Sequence, residues 1–88
     1  MSHQPIIVDQ NGEAFYPFSS GEYLEMVCST NTSEYNIKIG SIHSDKKLWL
    51  ATYYSYEECK KEFLQLLKYT ALPEVRTFYS LPESKSRL

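Results

Sequence analysis

One amphipathic segment, residues 54–69, constrains the fold more than any other part of the sequence. Ser55 precedes Glu58 at capping-box spacing, in which the hydroxyl accepts a first-turn N–H and the carboxylate accepts the N–H of the cap residue. Apolar side chains then recur at the helical period of 3.6 residues. The predicted apolar stripe consists of Tyr56, Cys59, Phe63, Leu66 and Leu67. A helix of this kind must bury its stripe against another layer of structure.

The rest of the chain has the pattern of a β-sheet that could form this layer. Polar and apolar residues alternate through residues 22–28, 35–40 and 48–54, which predicts three successive strands. The short polar segments between them favour antiparallel neighbours, and therefore a meander. Residues 6–8 and 14–16 are predicted to form an N-terminal hairpin, and residues 75–79 a last strand after the helix.

The predicted fold class is α+β: a curled antiparallel β-meander of five to six short strands packed on one C-terminal α-helix. A sheet of this kind can close on itself, and a pleckstrin-homology-like arrangement is one form that it could take. Residues 1–82 are predicted to form a single domain. Residues 83–88 are predicted to be a disordered tail.

The two faces of the predicted sheet differ in what covers them. The helix should pack on the face formed by Leu24, Met26, Ile37, Ile39, Leu48 and Leu50. The opposite face then carries apolar and aromatic side chains that the helix cannot reach, namely Tyr23, Val27, Ile42, Trp49 and Tyr53. An exposed patch of this sort usually marks an interaction site, so these five residues are the predicted partner-binding residues.

Two alternatives would leave no surface for a separate partner. In the first, the sheet curls until Phe15, Tyr16 and Phe18 cover the face away from the helix. In the second, a structural homodimer buries that face against a second copy of the chain.

Charge and hydropathy exclude some classes of partner. Eleven acidic and nine basic residues give a net charge of −2, which disfavours nucleic acid. A weak single-stranded nucleic-acid binder stays as a minor alternative, because cations lie near aromatic rings in Lys46, Lys47, Arg76, Phe78 and Tyr79. No apolar run approaches the ~20 residues that span a bilayer. The first residues lack the order of charges and apolar residues of a signal peptide, so the expected location is the cytoplasm.

Residues that could carry chemistry do not form a known constellation. Cys28 and Cys59 are too far apart in sequence for a paired zinc-ligand motif, and both are expected to be buried thiols. His43 lies in a predicted turn beside Asp45, with Ser41 near it only in sequence. We therefore predict no enzyme activity, no cofactor and no metal site.

Several segments, taken in order, resemble a family of small uncharacterised proteins of Gram-positive bacteria and their phages. In that family an Ile/Val-rich strand precedes a meander, a tyrosine stands just before an acidic helix start, and a Phe/Tyr-rich segment ends in proline. The matching segments here are residues 6–9, 35–37, 50–55, 57–59 and 77–82. The resemblance implies no enzymatic activity. It implies a phage or prophage accessory protein that binds or inhibits a host protein, which agrees with a non-catalytic protein-binding module.

Overall fold

The structure, a computed structural model, describes residues 5–29, 31–71 and 78–85. In this part of the chain the elements are β1 (Ile6–Val8), β2 (Phe15–Pro17), β3 (Glu22–Ser29), β4 (Glu34–Ser41), β5 (Ser44–Tyr53), α1 (Tyr56–Ala71) and β6 (Phe78–Ser80). The α+β prediction is confirmed. Residues 75–77 of the predicted last strand lie outside the described residues. No helix in the described part is long and apolar enough to cross a membrane.

The strands form two sheets of three strands each. β3, β4 and β5 make the predicted antiparallel meander. In the second sheet β1 is antiparallel to β2, as the predicted hairpin requires, and parallel to β6. The parallel pair joins the two ends of the chain, a long-range contact that the local sequence pattern did not predict.

The helix begins as predicted, but only half of the capping box forms. The main-chain N of Glu58 donates to Ser55 Oγ at 3.4 Å, and the N of Cys59 donates to the Ser55 carbonyl at 3.0 Å. The Glu58 carboxylate instead accepts hydrogen bonds from Ser84 Oγ at 2.8 Å and from the N of Lys85 at 2.6 Å. Two residues of the predicted tail are thus held against the first turn of α1, and residues 86–88 lie outside the described residues.

The helix packs on the β3–β5 sheet through most of its predicted stripe. Cys59 and Leu66 are buried, and Phe63 packs against them. Tyr69 completes the buried stripe near the end of α1, whereas the predicted member Tyr56 is 49% exposed and Leu67 is also exposed. Those two predictions of burial are wrong, although the Tyr56 ring still lies edge-on to Tyr35 of β4, with the ring centroids 5.9 Å apart.

A β-bulge in β5 changes which side chains reach the core. Ile37 pairs with Ala51 and the next residue, Lys38, pairs with Trp49, so Leu50 is the extra residue. Ala51 and Tyr53 therefore face α1 together with Ile37, and both are fully buried. Strict alternation would have put them on the opposite face. The predicted placement of Tyr53 away from the helix is wrong. Leu48 pairs with Ile39 on the predicted face, where it is 48% exposed.

The N-terminal aromatic residues do not cover the face away from the helix. Tyr16 and Phe18 pack against the core cluster that contains Ile7 and Leu66. Phe15 is exposed on the other side of β2. Closure of the sheet by these three residues over the predicted binding face is therefore not what the structure shows.

Candidate functional site

The face of the β3–β5 sheet that points away from α1 is called the outer face below. The strand register sets its side chains in neighbouring rows, from β3 through β4 to β5. The rows are Val27, Asn36 and Thr52; Glu25, Lys38 and Trp49; and Tyr23, Gly40 and Lys47. Most of these residues are half-buried by their neighbours in the sheet.

The structure brings together three of the five predicted binding residues. Tyr23, Val27 and Trp49 lie on the outer face as predicted. Ile42 lies in the turn between β4 and β5, where it is 72% exposed and its N donates to the Gly21 carbonyl at 2.8 Å. Tyr53 lies in the core, and its hydroxyl donates to the Pro82 carbonyl at 2.7 Å. Burial raises the pKa of the Tyr53 phenol above its usual range. A role in binding for the three outer-face residues stays a prediction.

Charged and polar groups separate the apolar residues of the outer face. Lys47 Nζ lies 3.1 Å from Glu25 Oε2, and the hydrogen bond and charge of that carboxylate raise the pKa of Lys47. The ion pair is solvated, so it contributes little to stability. This ion pair neutralises the charge of Lys47. In the strand register, Lys38 pairs with Trp49 and is then the cation nearest to it.

A chain of hydrogen bonds fixes the indole of Trp49. Trp49 Nε1 donates to Thr52 Oγ1 at 2.7 Å, and the same hydroxyl donates to Asn36 Oδ1 at 2.6 Å. One hydroxyl can accept and donate at once, so all three groups are satisfied. The ring is therefore held in one orientation on a face that α1 does not cover.

Tyr23 lies across β4 because residue 40 has no side chain. A Cβ built on Gly40 would stand 2.6 Å from Tyr23 Cζ, a distance that real Cβ atoms do not adopt. The aromatic ring therefore occupies the space that any other residue would fill. The sequence pattern placed Tyr23 on the outer face. It placed Gly40 among the polar residues of its strand and did not indicate a contact with Tyr23.

Gln10 ties the first sheet to β5, and the sequence pattern did not predict this role. The main-chain N of Gln10 donates to the Leu50 carbonyl at 2.7 Å. Its side-chain Oε1 accepts from the N of Thr52, and its Nε2 donates to the carbonyl oxygens of Thr52 and Pro82, each at 3.0 Å. The sequence of residues 9–12 predicts a turn. It contains no local pattern that would indicate a bond from Gln10 to a distant strand, apart from the long polar side chain itself.

An open cleft of about 620 Å³ lies beside Trp49, where the outer face meets the Gln10 turn and the C-terminal segment. Its lining residues are Gln10, Asn11, Glu34, Trp49, Thr52, Tyr54, Glu83 and Ser84. Two carboxylates and two aromatic rings thus share one depression, and the described residues that line it include no basic side chain. Except for Trp49, these residues were not predicted to form a site, because they come from four separate segments of the chain.

The side chains considered for metal binding or catalysis include Cys28, Cys59, Ser41 and His43. No group of three or more His, Cys, Asp or Glu side chains in the described part of the chain could hold a metal ion. Ser41 Oγ accepts a hydrogen bond from the main-chain N of His43 at 3.1 Å, which stabilises the turn. Cys28 is exposed, so its predicted burial is wrong, whereas Cys59 is buried as predicted. Burial raises the pKa of the Cys59 thiol to about 11.

The residues suggested for nucleic-acid stacking are not assembled in the described part of the chain. Tyr79 is buried, with its ring centroid 5.4 Å from that of Tyr69, so it is not open to a base. Lys47 pairs with Glu25, and Arg76 lies outside the described residues. Phe78 is exposed, but it stands apart from Lys46 and Lys47 on the other sheet.

No family model, curated protein or solved structure matches this chain. Function is therefore inferred from the geometry of the outer face and the cleft. The resemblance to small proteins of Gram-positive bacteria and phages, and to pleckstrin-homology domains, stays a prediction.

Proposed function

We propose that this protein is a non-catalytic module that binds another protein through the outer face of the β3–β5 sheet. The observation that carries the proposal is Trp49, a tryptophan fixed by hydrogen bonds on the face opposite α1 and beside an open cleft. Tryptophan and tyrosine are the residues most enriched in binding hot spots. A side chain that is already ordered loses little conformational freedom when a partner covers it.

The composition of the outer face supports a transient, non-obligate interaction with the partner. Tyr23, Val27 and Trp49 alternate with Glu25 and Lys38 rather than forming a continuous apolar surface. Interfaces between proteins that are stable on their own mix polar and apolar side chains in this way, whereas obligate interfaces are as hydrophobic as a protein core. The proposed partner is therefore a separately folded protein.

On the resemblance alone, we also propose the biological setting. The protein is an accessory protein of a Gram-positive bacterium or its phage, it acts in the cytoplasm, and it binds or inhibits a host protein. The mixed, pre-ordered outer face is compatible with such a role, because an inhibitor must recognise a finished host surface.

Capture experiments with matched arginine substitutions test the binding proposal. Immobilised wild type, Val27→Arg on the outer face and Leu64→Arg on the exposed side of α1 are compared in an extract of the encoding organism. Leu64 is 52% exposed and lies on the opposite side of the molecule. Leu64→Arg therefore adds the same charge away from the outer face. A protein that wild type and Leu64→Arg retain and Val27→Arg loses supports the proposal. Equal retention by both variants, with both folded by circular dichroism, overturns it.

A homodimer is the second candidate, and the free edge of β3 favours it. The Ile42–Gly21 hydrogen bond sets the phase of the β3–β4 ladder, so the N–H and C=O groups of Leu24, Met26 and Cys28 point away from β4. In the described part of the chain no strand pairs with this edge. β3 also lacks the lysines and prolines that commonly protect an edge. Light scattering distinguishes the candidates: a monomer favours the binding module, and a dimer that persists on dilution favours self-association.

A further inference from the structure

We infer that the cleft beside Trp49 binds the guanidinium group of an arginine side chain presented by the partner protein. This inference rests on the proposed function and specifies the chemistry that the partner must supply. The cleft is continuous with the outer face, because Trp49 and Thr52 belong to both. A partner lying on the outer face could therefore reach into the cleft with a single side chain.

The charged hydrogen-bonding groups that line the cleft are acceptors, beside the Asn11 amide and the Tyr54 hydroxyl, which can also donate. Gln10 already uses both ends of its amide, and the Thr52 hydroxyl both accepts and donates within the fold. The carboxylates of Glu34 and Glu83 take part in no hydrogen bond or ion pair among the described residues. A ligand rich in N–H donors and positively charged would satisfy these acceptors, whereas an anionic ligand would be repelled.

The aromatic walls distinguish a guanidinium from other cations. Trp49 and Tyr54 both line the cleft, and a flat guanidinium can lie against an aromatic ring while its edge reaches a carboxylate. A hard divalent cation would instead need about six oxygen ligands in a compact shell. Two carboxylates set among aromatic and amide groups do not provide that shell.

Lys38, a basic residue of the outer face, works against the site. Lys38 pairs with Trp49 in the register and points to the same face, although it does not line the cleft. Lys47, in the next row, is already paired with Glu25. Removing the charge of Lys38 should therefore strengthen the binding of a second cation near Trp49.

Fluorescence reports on this cleft directly, because Trp49 is the only tryptophan of the protein. The wild-type protein is titrated with Nα-acetyl-arginine methylamide, and in parallel with the citrulline analogue, which has nearly the same shape but no charge. The same titrations are run on Glu34→Gln, Glu83→Gln and Lys38→Gln. Glu57→Gln, an exposed change on α1 with the same effect on net charge, is the matched control.

We expect a saturable change in Trp49 emission with the arginine probe and not with the citrulline probe. Each glutamine substitution in the cleft should weaken binding about two- to fivefold, as removal of one partly exposed ion pair does. Lys38→Gln should bind more tightly than wild type, and Glu57→Gln should equal wild type. Equal binding of the two probes, a loss in Glu57→Gln as large as in the cleft variants, or no saturable change overturns the inference.

The outcome separates this inference from the proposed function. If the arginine probe does not bind while Val27→Arg still abolishes capture of a protein, the proposed protein-binding function is supported and the inferred arginine site is wrong. If the probe binds but capture does not depend on Val27, the cleft is a cation site and the proposed protein-binding face is wrong.

Discussion

The side-chain amide of Gln10 pairs with both main-chain groups of Thr52, as a neighbouring strand would. Oε1 accepts from the N of Thr52 and Nε2 donates to its carbonyl oxygen, each at 3.0 Å. The same Nε2 also donates to the Pro82 carbonyl. One residue thus connects the N-terminal sheet, β5 and the C-terminal segment, and it forms one wall of the cleft beside Trp49.

Replacing Gln10 should destabilise the whole fold. Gln10→Ala removes three hydrogen bonds at about 1 kcal/mol each and leaves main-chain groups of Thr52 unpaired, so we expect a loss of about 2–3 kcal/mol. Urea denaturation measures the free energy of unfolding. The exposed neighbour Asn11→Ala is the control and should change it by less than about 0.5 kcal/mol. Equal effects of the two substitutions would show that Gln10 does not join the sheets.

The contact between Gly40 and Tyr23 predicts a strongly coupled pair. Gly40→Ala places a methyl group where the Tyr23 ring lies and should cost about 1–3 kcal/mol. In a Tyr23→Ala background the clash is absent. Alanine at position 40 should then be neutral or stabilising, because it has less conformational freedom than glycine in the unfolded chain and so loses less entropy on folding. Denaturation of the four proteins gives the coupling energy. A cost of Gly40→Ala that is the same in both backgrounds would contradict the contact.

The two thiols should differ strongly in reactivity. Cys28 is exposed, whereas Cys59 is buried with a pKa of about 11, and the thiolate is the reactive form. In the native protein at pH 8, an aromatic disulfide reagent should modify Cys28 at least about 100-fold faster than Cys59. Cys28→Ser should remove the fast phase, and Cys59→Ser should leave it intact. Two equally fast thiols would show that Cys59 is not held in the core.

Stability should fall at alkaline pH because two buried acids keep their protons in the folded state. Cys59 and Tyr53 both have raised pKa values when folded, while their ordinary values are 9.0 and 10.0. The contribution is complete below about pH 9 and declines above it, because the unfolded chain releases protons that the folded chain retains, by about 1.4 kcal/mol per pH unit for each group.

Thermal unfolding between pH 8 and pH 11 measures this decline. Tyr53→Phe should flatten the slope above pH 10 and also lower stability at pH 7, since it removes the hydrogen bond to Pro82. Tyr56→Phe, on the exposed side of α1, serves as the control. A slope above pH 10 that is unchanged by Tyr53→Phe would mean that this phenol is not buried.

Local patterns were sufficient to predict the helix and the central meander. The 3.6-residue spacing of Cys59, Phe63 and Leu66 and the alternation through β3 and β4 are properties of each segment alone. They placed Tyr23, Val27 and Trp49 on the correct face of the sheet. The fold class followed, because one helix can cover only one face.

The errors come from features that the local pattern does not contain. The bulge at Leu50 shifts the phase within β5, so Tyr53 turns into the core although the sequence alternates regularly through it. The bonds of Gln10 to β5 and of Ser84 to Glu58 join residues far apart in sequence. The cleft depends on both of these contacts, so its carboxylates could not have been grouped with Trp49 beforehand.

Charge-selective quenching of Trp49 fluorescence measures whether this residue stands on an open and acidic surface. Caesium and iodide ions are compared as quenchers of the native protein and of free N-acetyl-tryptophanamide. We predict that the ratio of caesium to iodide quenching is higher for the protein, and that Glu34→Gln with Glu83→Gln returns it towards the value of the free indole. A ratio at or below that of the free indole, or an emission that neither ion quenches, would show that Trp49 does not stand on an open, acidic surface.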